Sequence, residues 1–432
     1  MPTETETVSP VSFWQLYSVK SERRRPGTGL GEYYTVSAVV ELSGPLRVPV
    51  LQRAFRELLR RHDLLRTRVV MDEGPEPFQA VRAAGEGPAE VEVVDEADVL
   101  AAEGWLYAPV RQETSPVRVR LARRGPEEHV LSLHLHHLIG DPTTLWGVLG
   151  ELAALYRAEL DGTDVPPPRA QYREYAADEA RQSAAGRDAA RDWWASSVGA
   201  ARFASVRLGP PGEPFAFRDE LLSPDLVARA GRLARTDRGT LFVVLLAALA
   251  CAMDPYVAGG DDLVFLTLFE RRDRPEWRGM LGPCMVPVYI PVPRPAAGLS
   301  ADYVRAVRDN VLAARRHCLV TTKEVRLMNP FFHHPDSIIP FFEYIPVQRP
   351  AALAFGPVTG RVTDASGHRD TGLASFLSIR ARATSTGALA AHLCADGRGW
   401  TAPLTREVCR AMGERIGSAT RAGRPLAAAD GR

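Results

Sequence analysis

The spacing of apolar positions in the first third of the chain predicts helices and strands in alternation. Apolar residues recur at helical spacing over residues 48–62, which predicts an amphipathic helix. A strand is expected over 65–71, and apolar residues alternate with others over 117–121 and 130–137, as two further strands would require. Helical spacing returns over 142–160, so a second helix follows the last of these strands.

The pattern changes at residues 161–170, where three consecutive prolines predict a linker before a helix that runs to about residue 197. An apolar stretch of 13 residues over 241–253 is too short to span a bilayer and predicts a buried helix. Strands are then expected over 263–269, 285–292, 337–345 and 373–380, and helices over 301–316 and 404–416. Because strands and helices mix through both halves, the predicted fold class is α/β, with two sandwich lobes over 1–178 and 179–432.

Composition narrows the classes of function. The chain has 432 residues, more than one ordinary core holds, and its formal net charge of +1 gives no strong field toward nucleic acid or an anionic membrane. Residues 1–10 lack the basic and apolar regions of a signal peptide. The five cysteines are scattered, with no Cys-x-x-Cys pair, which fits a reduced cytoplasmic setting without structural zinc.

The candidate chemistry lies where the strand over 130–137 gives way to a helix. Alternation along this strand puts His137 on the face of three leucines, and His134 and His136 on the other face. A partly desolvated, neutral imidazole at the end of an apolar face is suited to accept a proton near neutral pH. Asp141 and Pro142 then form a good helix start, with Asp as N-cap and Pro as the first helical residue.

Two other interpretations of these residues remain open. In one interpretation the segment has only a structural role, as a capped helix that follows an apolar strand, and His137 is a packed core histidine. A metal site formed by the three histidines and Asp141 would need ligands from opposite strand faces, so no metal is expected.

Residues 136–142 resemble the HHxxxDG motif of the condensation domains of nonribosomal peptide synthetases, whose superfamily includes chloramphenicol acetyltransferase. Four more segments match that family in order. Residues 61–67 resemble its RHExLRT segment, and 171–176 its Q-Y-x-D-Y-A segment. Residues 261–272 resemble its D-D-x-V-x-G-x-P-x-x-x-R stretch, and 281–287 its G-F-F-V-N-T region.

The resemblance implies a V-shaped pair of chloramphenicol-acetyltransferase-like lobes with a tunnel between them. His137 would be the catalytic residue at mid-tunnel, and His136 would support the motif. Asp141 would pair with Arg272 from the other lobe, and Arg66 would support the same loop. Strand position and resemblance together suggest three tunnel residues, which are Met285, Tyr344 and Ser375.

Several residues in and near the motif depart from the family pattern. Pro142 follows Gly140 and Asp141 where the family has Gly, and a proline has no N–H to offer an oxyanion. Leu266 and Leu268 replace the family's Gly and Pro, and Pro287 replaces its Asn. Either the substrate shape or the contact between the lobes is therefore expected to be unusual near these positions.

The resulting hypothesis is a free-standing, monomeric, cytoplasmic condensation enzyme of natural-product biosynthesis. It would form an amide or ester when an amine or alcohol attacks an acyl thioester on an acyl or peptidyl carrier protein. No cofactor would be bound, because phosphopantetheine arrives on the carrier. Two alternatives stay open: an acyltransferase of the same fold that uses acyl-coenzyme A or a polyketide carrier, and an inactive docking module.

Overall fold

The computed structural model describes residues 6–32, 34–74, 76–94, 109–236, 238–272, 274–334, 337–347, 349–363, 367–368, 377–421 and 424–425. The chain forms two compact units. The first comprises residues 1–184, 270–285 and 349–373, and the second comprises 185–269, 286–348 and 374–432. The first unit is therefore built from three stretches of sequence. The predicted lobe boundary between residues 178 and 179 stays a prediction.

The α-helices of the described residues are α1 (Phe13–Arg24), α2 (Val48–Arg61), α3 (Pro142–Asp161), α4 (Tyr172–Trp194), α5 (Pro224–Thr236), α6 (Leu241–Met253), α7 (Ala301–Arg316), α8 (Thr322–Arg326) and α9 (Ala402–Ser418). The strands of the described residues are β1 (Thr7–Pro10), β2 (Thr35–Ser43), β3 (Thr67–Val70), β4 (Phe78–Val81), β5 (Glu92–Val94), β6 (Val117–Arg123), β7 (Glu128–His136), β8 (Ser205–Val206), β9 (Phe215–Leu222), β10 (Val257–Ala258), β11 (Asp262–Glu270), β12 (Met285–Pro293), β13 (Phe341–Ile345), β14 (Ala352–Phe355), β15 (Val358–Val362), β16 (Gly367–His368), β17 (Leu377–Ala383), β18 (Leu389–Ala395), β19 (Thr420–Arg421) and β20 (Arg424–Pro425).

The first unit is built on a sheet in the order β14-β15-β2-β7-β6-β5, with β16 also paired to β2. Strands β2 and β7 are antiparallel, in a register that sets Thr35 opposite His136 and Ser43 opposite Glu128. Alternate residues of β2, β6 and β7 are apolar and buried with the apolar faces of α2 and α3 in one core. Burial of this sheet face by two helices makes the first unit a two-layer α/β sandwich.

The contact between α2 and α3 also contains a charged group. Glu151 of α3 accepts hydrogen bonds from Arg61 at 2.6 Å and from His62 at 2.8 Å. Burial acts to raise the pKa of Glu151, but the bonds from His62 and Arg61 hold that pKa below its ordinary value. The carboxylate therefore stays charged and fixes the end of α2 against the middle of α3.

The second unit is built on a sheet in the order β12-β11-β13-β17-β18-β9. The pairs β11–β13 and β13–β17 are parallel, whereas β17–β18 and β18–β9 are antiparallel. Helix α6 is buried from Val243 to Met253, in contact with α5, α7 and α9. The Phe242 ring of α6 stacks on Phe342 of β13 at 5.8 Å, which shows the sheet face that this helix covers.

The predicted α/β fold class is confirmed, and so are the predicted helices and strands, which differ from those observed mainly at their ends. The buried helix over 241–253 and the helix over 301–316 have the observed bounds. Residues 373–376 of one predicted strand lie outside the described residues, and the rest of it belongs to β17. The apolar pattern did not predict the remaining elements, which include α1, β2, β9, α5, β14, β15 and β18.

Two properties of the described residues concern membranes and metal ions. No single helix in them is long and apolar enough to cross a bilayer, and one bent pair, Pro224–Thr236 with Leu241–Tyr256, qualifies only by joint length and composition. These residues also contain no group of three or more His, Cys, Asp or Glu side chains arranged to hold a metal ion.

The substitution Glu151→Ala tests the charged contact between α2 and α3. We expect it to lower the free energy of unfolding by roughly 1–3 kcal/mol, because Arg61 and His62 lose their buried acceptor. Glu159→Ala is the matched control, since Glu159 lies on the same helix and pairs with the exposed Arg53. Urea unfolding measures both, and equal effects of the two substitutions would contradict this account.

Candidate active site

The candidate site is formed by the turn between β7 and α3. Strand β7 ends at His136, whose carbonyl accepts the amides of Ile139 at 3.0 Å and Gly140 at 3.1 Å. The amide of His137 donates to the carbonyl of Tyr34, just before β2, at 2.7 Å. This bond follows the register that sets Thr35 opposite His136, so the pairing of the two segments continues to His137 although β7 ends one residue earlier. The prediction that His137 continues the leucine face of the strand stays a prediction.

His136 is fully buried and fixed at both ring nitrogens. Its Nε2 lies 3.2 Å from the carbonyl oxygen of Gly31 and 3.4 Å from that of Leu30. Its Nδ1 accepts from the amide of Leu138 at 3.2 Å. These partners require the neutral tautomer with a proton on Nε2. Burial lowers the pKa of His136 to about 4, so it stays neutral at pH 7 and acts as a structural support, as predicted.

The two carbonyls that meet His136 belong to a loop organised by Glu22. The carboxylate of Glu22 accepts the amides of Gly27 at 2.7 Å, Gly29 at 3.0 Å and Leu30 at 2.9 Å. Burial acts to raise the pKa of Glu22, but the three backbone hydrogen bonds hold that pKa below its ordinary value. A β-carbon at position 29 would lie 2.0 Å from the carbonyl oxygen of Ser18, so the loop requires glycine there.

His137 has a different environment from its neighbour. Its side chain is half-buried between two aromatic rings, with centroids 4.8 Å from Tyr34 and 5.0 Å from Trp14. The indole N–H of Trp14 donates to the carbonyl of His137 at 2.8 Å. The backbone and ring of His137 are therefore both held, whereas its side chain keeps part of its surface exposed. Of the histidine pair, His137 is the one available to a substrate.

Asp141 connects the turn to α3 and to a distant segment. Its Oδ1 accepts from the amide of Thr144 at 2.7 Å and from the Thr144 hydroxyl at 2.6 Å, which confirms the predicted N-cap. Its Oδ2 lies 3.1 Å from the guanidinium of Arg272, and both side chains are buried. Burial alone would lower the pKa of Arg272, but the charge of Asp141 raises that pKa, so the guanidinium stays charged. The predicted pairing of Asp141 with Arg272 is present.

The segment that carries Arg272 is attached to the turn a second time through Gly282. Its amide donates to the Thr144 hydroxyl at 3.0 Å, and its carbonyl accepts from Arg272. Gly282 has a φ of +138°, and a β-carbon there would lie 2.0 Å from the Tyr172 ring. The Tyr172 hydroxyl lies 2.7 Å from Ser12 Oγ, the N-cap of α1. Residues 12–15, Thr144 and Gly282 thus support the turn, although the sequence analysis did not single them out.

Two predicted supports differ from the expectation. Arg66 does not reach the Asp141 loop, because its guanidinium binds Asp63 at 2.7 Å, the carbonyl of Leu59 at 2.9 Å and the carbonyl of Arg82. It holds the turn before β3 instead. Arg272 lies in the same compact unit as Asp141, not in a second one, because residues 270–285 return to the first unit.

The three predicted tunnel residues stay predictions. Met285 is buried at the start of β12, and Tyr344 is half-buried in β13, where burial raises the pKa of its hydroxyl. Ser375 lies outside the described residues.

Residues 7–326 match the model of the Condensation domain family. The chain belongs to the Condensation domain family. As a Condensation domain it is 28% identical to surfactin synthase subunit 1 of Bacillus subtilis (strain 168) over 291 residues, which cover 65% of this chain and 8% of that protein. It is 32% identical to the probable non-canonical nonribosomal peptide synthetase CymA of Salinispora arenicola (strain CNS-205) over 260 residues, 56% of this chain and 3% of that protein. The chain thus spans a small fraction of these relatives.

Solved structures share the fold of this Condensation domain. The SgcC5 protein from Streptomyces globisporus has a TM-score of 0.74 at 18% identity, covering 94% of this chain and 98% of that one. The first condensation domain of the calcium-dependent antibiotic synthetase has a TM-score of 0.72 at 20% identity, covering 96% and 97%. The X-domain from teicoplanin biosynthesis has a TM-score of 0.73 at 20% identity, covering 98% and 97%.

The substitution Asp141→Ala tests the buried ion pair. We expect a loss of roughly 3–5 kcal/mol in the free energy of unfolding, because the substitution leaves Arg272 buried without its main carboxylate. The exposed Asp161 lies on the same helix, and Asp161→Ala should change the free energy of unfolding by less than about 0.5 kcal/mol. The double variant Asp141→Ala/Arg272→Met should recover part of the loss, measured by urea unfolding. If the double variant lost the sum of the free energies that Asp141→Ala and Arg272→Met each lose alone, this additivity would contradict the pairing.

Proposed function

We propose that this chain catalyses condensation-type acyl transfer. An amine or alcohol attacks the carbonyl carbon of an acyl thioester carried on the phosphopantetheine arm of an acyl or peptidyl carrier protein, and an amide or ester is released. The observation that carries the proposal is the placement of His137 in a chain of the Condensation domain family. Its imidazole is half-buried and held on a braced turn, while the neighbouring His136 is committed to the backbone.

In the proposed reaction, His137 is the base. As the nucleophile forms its bond to the carbonyl carbon, the imidazole of His137 accepts the N–H or O–H proton and the carbonyl oxygen becomes an oxyanion. The tetrahedral intermediate then collapses, the C–S bond breaks, and the proton passes from the imidazolium to the leaving sulfur. The Trp14 and Tyr34 rings keep the imidazole in position, which reduces the entropy lost on reaching the reactive geometry.

The remaining motif residues contribute position rather than chemistry. Asp141 is fully engaged with Thr144 and Arg272, so it holds the turn and is not a proton relay. Pro142 is the first residue of α3 and has no N–H, so position 142 donates no hydrogen bond to the oxyanion. The free-standing, monomeric and cytoplasmic state of the protein stays a prediction.

Structural neighbours support the substrate classes in the proposal. The SgcC5 protein was crystallised with (R)-(-)-1-(2-naphthyl)-1,2-ethanediol, which supports an alcohol as an acceptor class. The starter condensation domain of rhizomide synthetase, with a TM-score of 0.72, was crystallised as a mutant with C8-CoA. That complex favours acyl-coenzyme A as the alternative donor. The X-domain from teicoplanin biosynthesis was crystallised with OxyB, which keeps a docking module as the non-catalytic alternative.

The substitution His137→Ala tests the proposed base. We expect it to lower kcat by roughly 10²–10⁴-fold, the range that a positioned general base contributes. His333→Ala is the control, because His333 is exposed in the second unit. Acyl-carrier and acyl-coenzyme A thioesters are each supplied with amine and alcohol acceptors, and product is measured by mass spectrometry.

Each result of this assay has a defined meaning. Undiminished transfer by the His137→Ala protein would rule out His137 as the base. If only the coenzyme A thioester is turned over, the acyl donor is acyl-coenzyme A and not an acylated carrier protein. A folded wild-type protein that transfers no acyl group from either donor would overturn the proposed activity and favour the docking module.

The substitution Trp14→Phe tests the support of His137. Phenylalanine keeps an aromatic ring beside the imidazole but removes the N–H that binds the His137 carbonyl. We expect kcat to fall about tenfold with little change in KM, since misplacement of a reacting group reduces turnover before it reduces binding. Trp193→Phe in the second unit is the matched control. An unchanged kcat would show that the indole N–H does not position His137.

A further inference from the structure

The six-stranded sheet of the second unit has one face turned away from α6. Phe342 faces α6, and alternation therefore puts its neighbours Phe341 and Glu343 on the opposite face. Phe341 pairs with Ser378 and Glu343 pairs with Arg380 on the adjacent strand β17. We call this opposite surface the arginine face, because it carries the side chains of Arg218, Arg380 and Arg382.

Strand register brings these three cations together. Arg380 lies opposite His392 of β18, and His392 lies opposite Arg218 of β9, so the three form one row across the sheet. Arg382 follows two residues after Arg380 on the same strand and lies opposite the small side chain of Ala390. Residues on one face of adjacent strands are close enough for their charges to interact.

Arg380 is already held by its neighbours. Its Nε lies 3.9 Å from a carboxylate oxygen of Glu343, and its guanidinium lies 5.4 Å from the centre of the Phe341 ring. Glu343 is therefore directed to Arg380. The charge of Glu343 also acts on Arg382, so this carboxylate is shared by the two arginines of β17.

Arg382 is the unusual member of the group. Its Nε is buried and has no hydrogen-bond partner among the residues that the structure describes. Burial lowers the pKa of Arg382, the charge of Glu343 opposes this effect, and the charges of Arg380 and Arg218 add to it. A desolvated guanidinium whose Nε has no hydrogen-bond partner costs stability, and a carboxylate that is shared with Arg380 offsets only part of this cost.

A guanidinium presents its donors as a planar fork that matches the oxygen pairs of carboxylates and phosphates. Ala390 and Ile345 lie opposite Arg382 on the two neighbouring strands, and neither side chain competes for the donors of its fork. We propose that Arg382, with Arg380 and Arg218, binds an anionic group, a carboxylate or a phosphate, on a small-molecule ligand. Such a ligand is independent of the proposed acyl transfer, and both a phosphate monoester and a carboxylate fit the fork.

Matched ligand pairs test this site without any need for turnover. Pantetheine 4′-phosphate and pantetheine differ by the phosphate, and N-acetylglycine and its methyl ester differ by the carboxylate. We expect the charged member of at least one pair to bind wild-type protein at least tenfold more tightly, measured by titration calorimetry and thermal shift. Arg382→Gln should abolish that preference, while Arg410→Gln, on the exposed face of α9, should keep it.

The ligand pair that shows the preference identifies the source of the anionic group. No charge preference in either pair, or a preference that survives Arg382→Gln, would overturn the site. Because binding is measured directly, the His137→Ala protein should show the same preference as wild type. Loss of acyl transfer with retained anion binding would therefore count against the proposed function and not against this site.

Stability measurements on the free protein give an independent test. If Arg382 serves a ligand, Arg382→Met should leave the urea midpoint unchanged or raise it, because a desolvated charge that is only partly compensated is removed. If Arg382 were instead paired within the protein, Arg382→Met would lower the urea midpoint. A clear decrease in the midpoint for Arg382→Met, with no decrease for Arg410→Gln, would overturn the proposal.

Discussion

The geometry of the candidate site depends on one buried ion pair, between Asp141 and Arg272. Asp141 accepts a hydrogen bond from Thr144 in the first turn of α3. It also pairs with the guanidinium of Arg272, in the segment that follows β11. The bond from the Gly282 amide to Thr144 closes the same arrangement from the other side. Removing any one of these partners would leave a buried donor or acceptor unpaired. Because such an unpaired group costs free energy, the turn is held in one conformation.

The two adjacent histidines show how environment assigns different roles to the same side chain. His136 is enclosed by carbonyls and an amide, which fix its tautomer and make protonation unfavourable. His137 is placed by its backbone and by two aromatic faces, and its ring keeps access to solvent. A base must exchange protons with a ligand, so the more exposed residue is suited to the chemistry and the more buried one to support.

Much of the fold and part of the site could be predicted from local sequence. Asp141 followed by Pro142 predicted the start of α3 because capping is a local interaction. The Arg272 partnership came from family resemblance and not from residue spacing, since no local rule joins such distant positions. Strand β2 was missed because most of its residues are buried on both faces, which removes the alternation that marks a half-exposed strand.

The parts of the site that local patterns did not predict depend on contacts between distant segments. The His137 amide, for example, donates to the carbonyl of Tyr34, in the segment that leads into β2. The supports from α1 and from Gly282 are contacts between residues far apart in sequence. The Arg66 bonds to Leu59 and Arg82 span fewer positions, but they end on backbone carbonyls that no side-chain pattern marks. Periodicity reports which residues face a core, but it does not report which distant backbone atom a side chain meets.

The pairing of Thr35 with His136 has a consequence for the order of folding. These residues are about a hundred positions apart, and a contact that closes so long a loop forms slowly. Helices α2 and α3 depend on local contacts and can form early, but the orientation of both histidines waits for β2 to pair with β7. A folding intermediate with native helical content would therefore still lack the assembled site, and recovery of site geometry would follow the slowest step of the first unit.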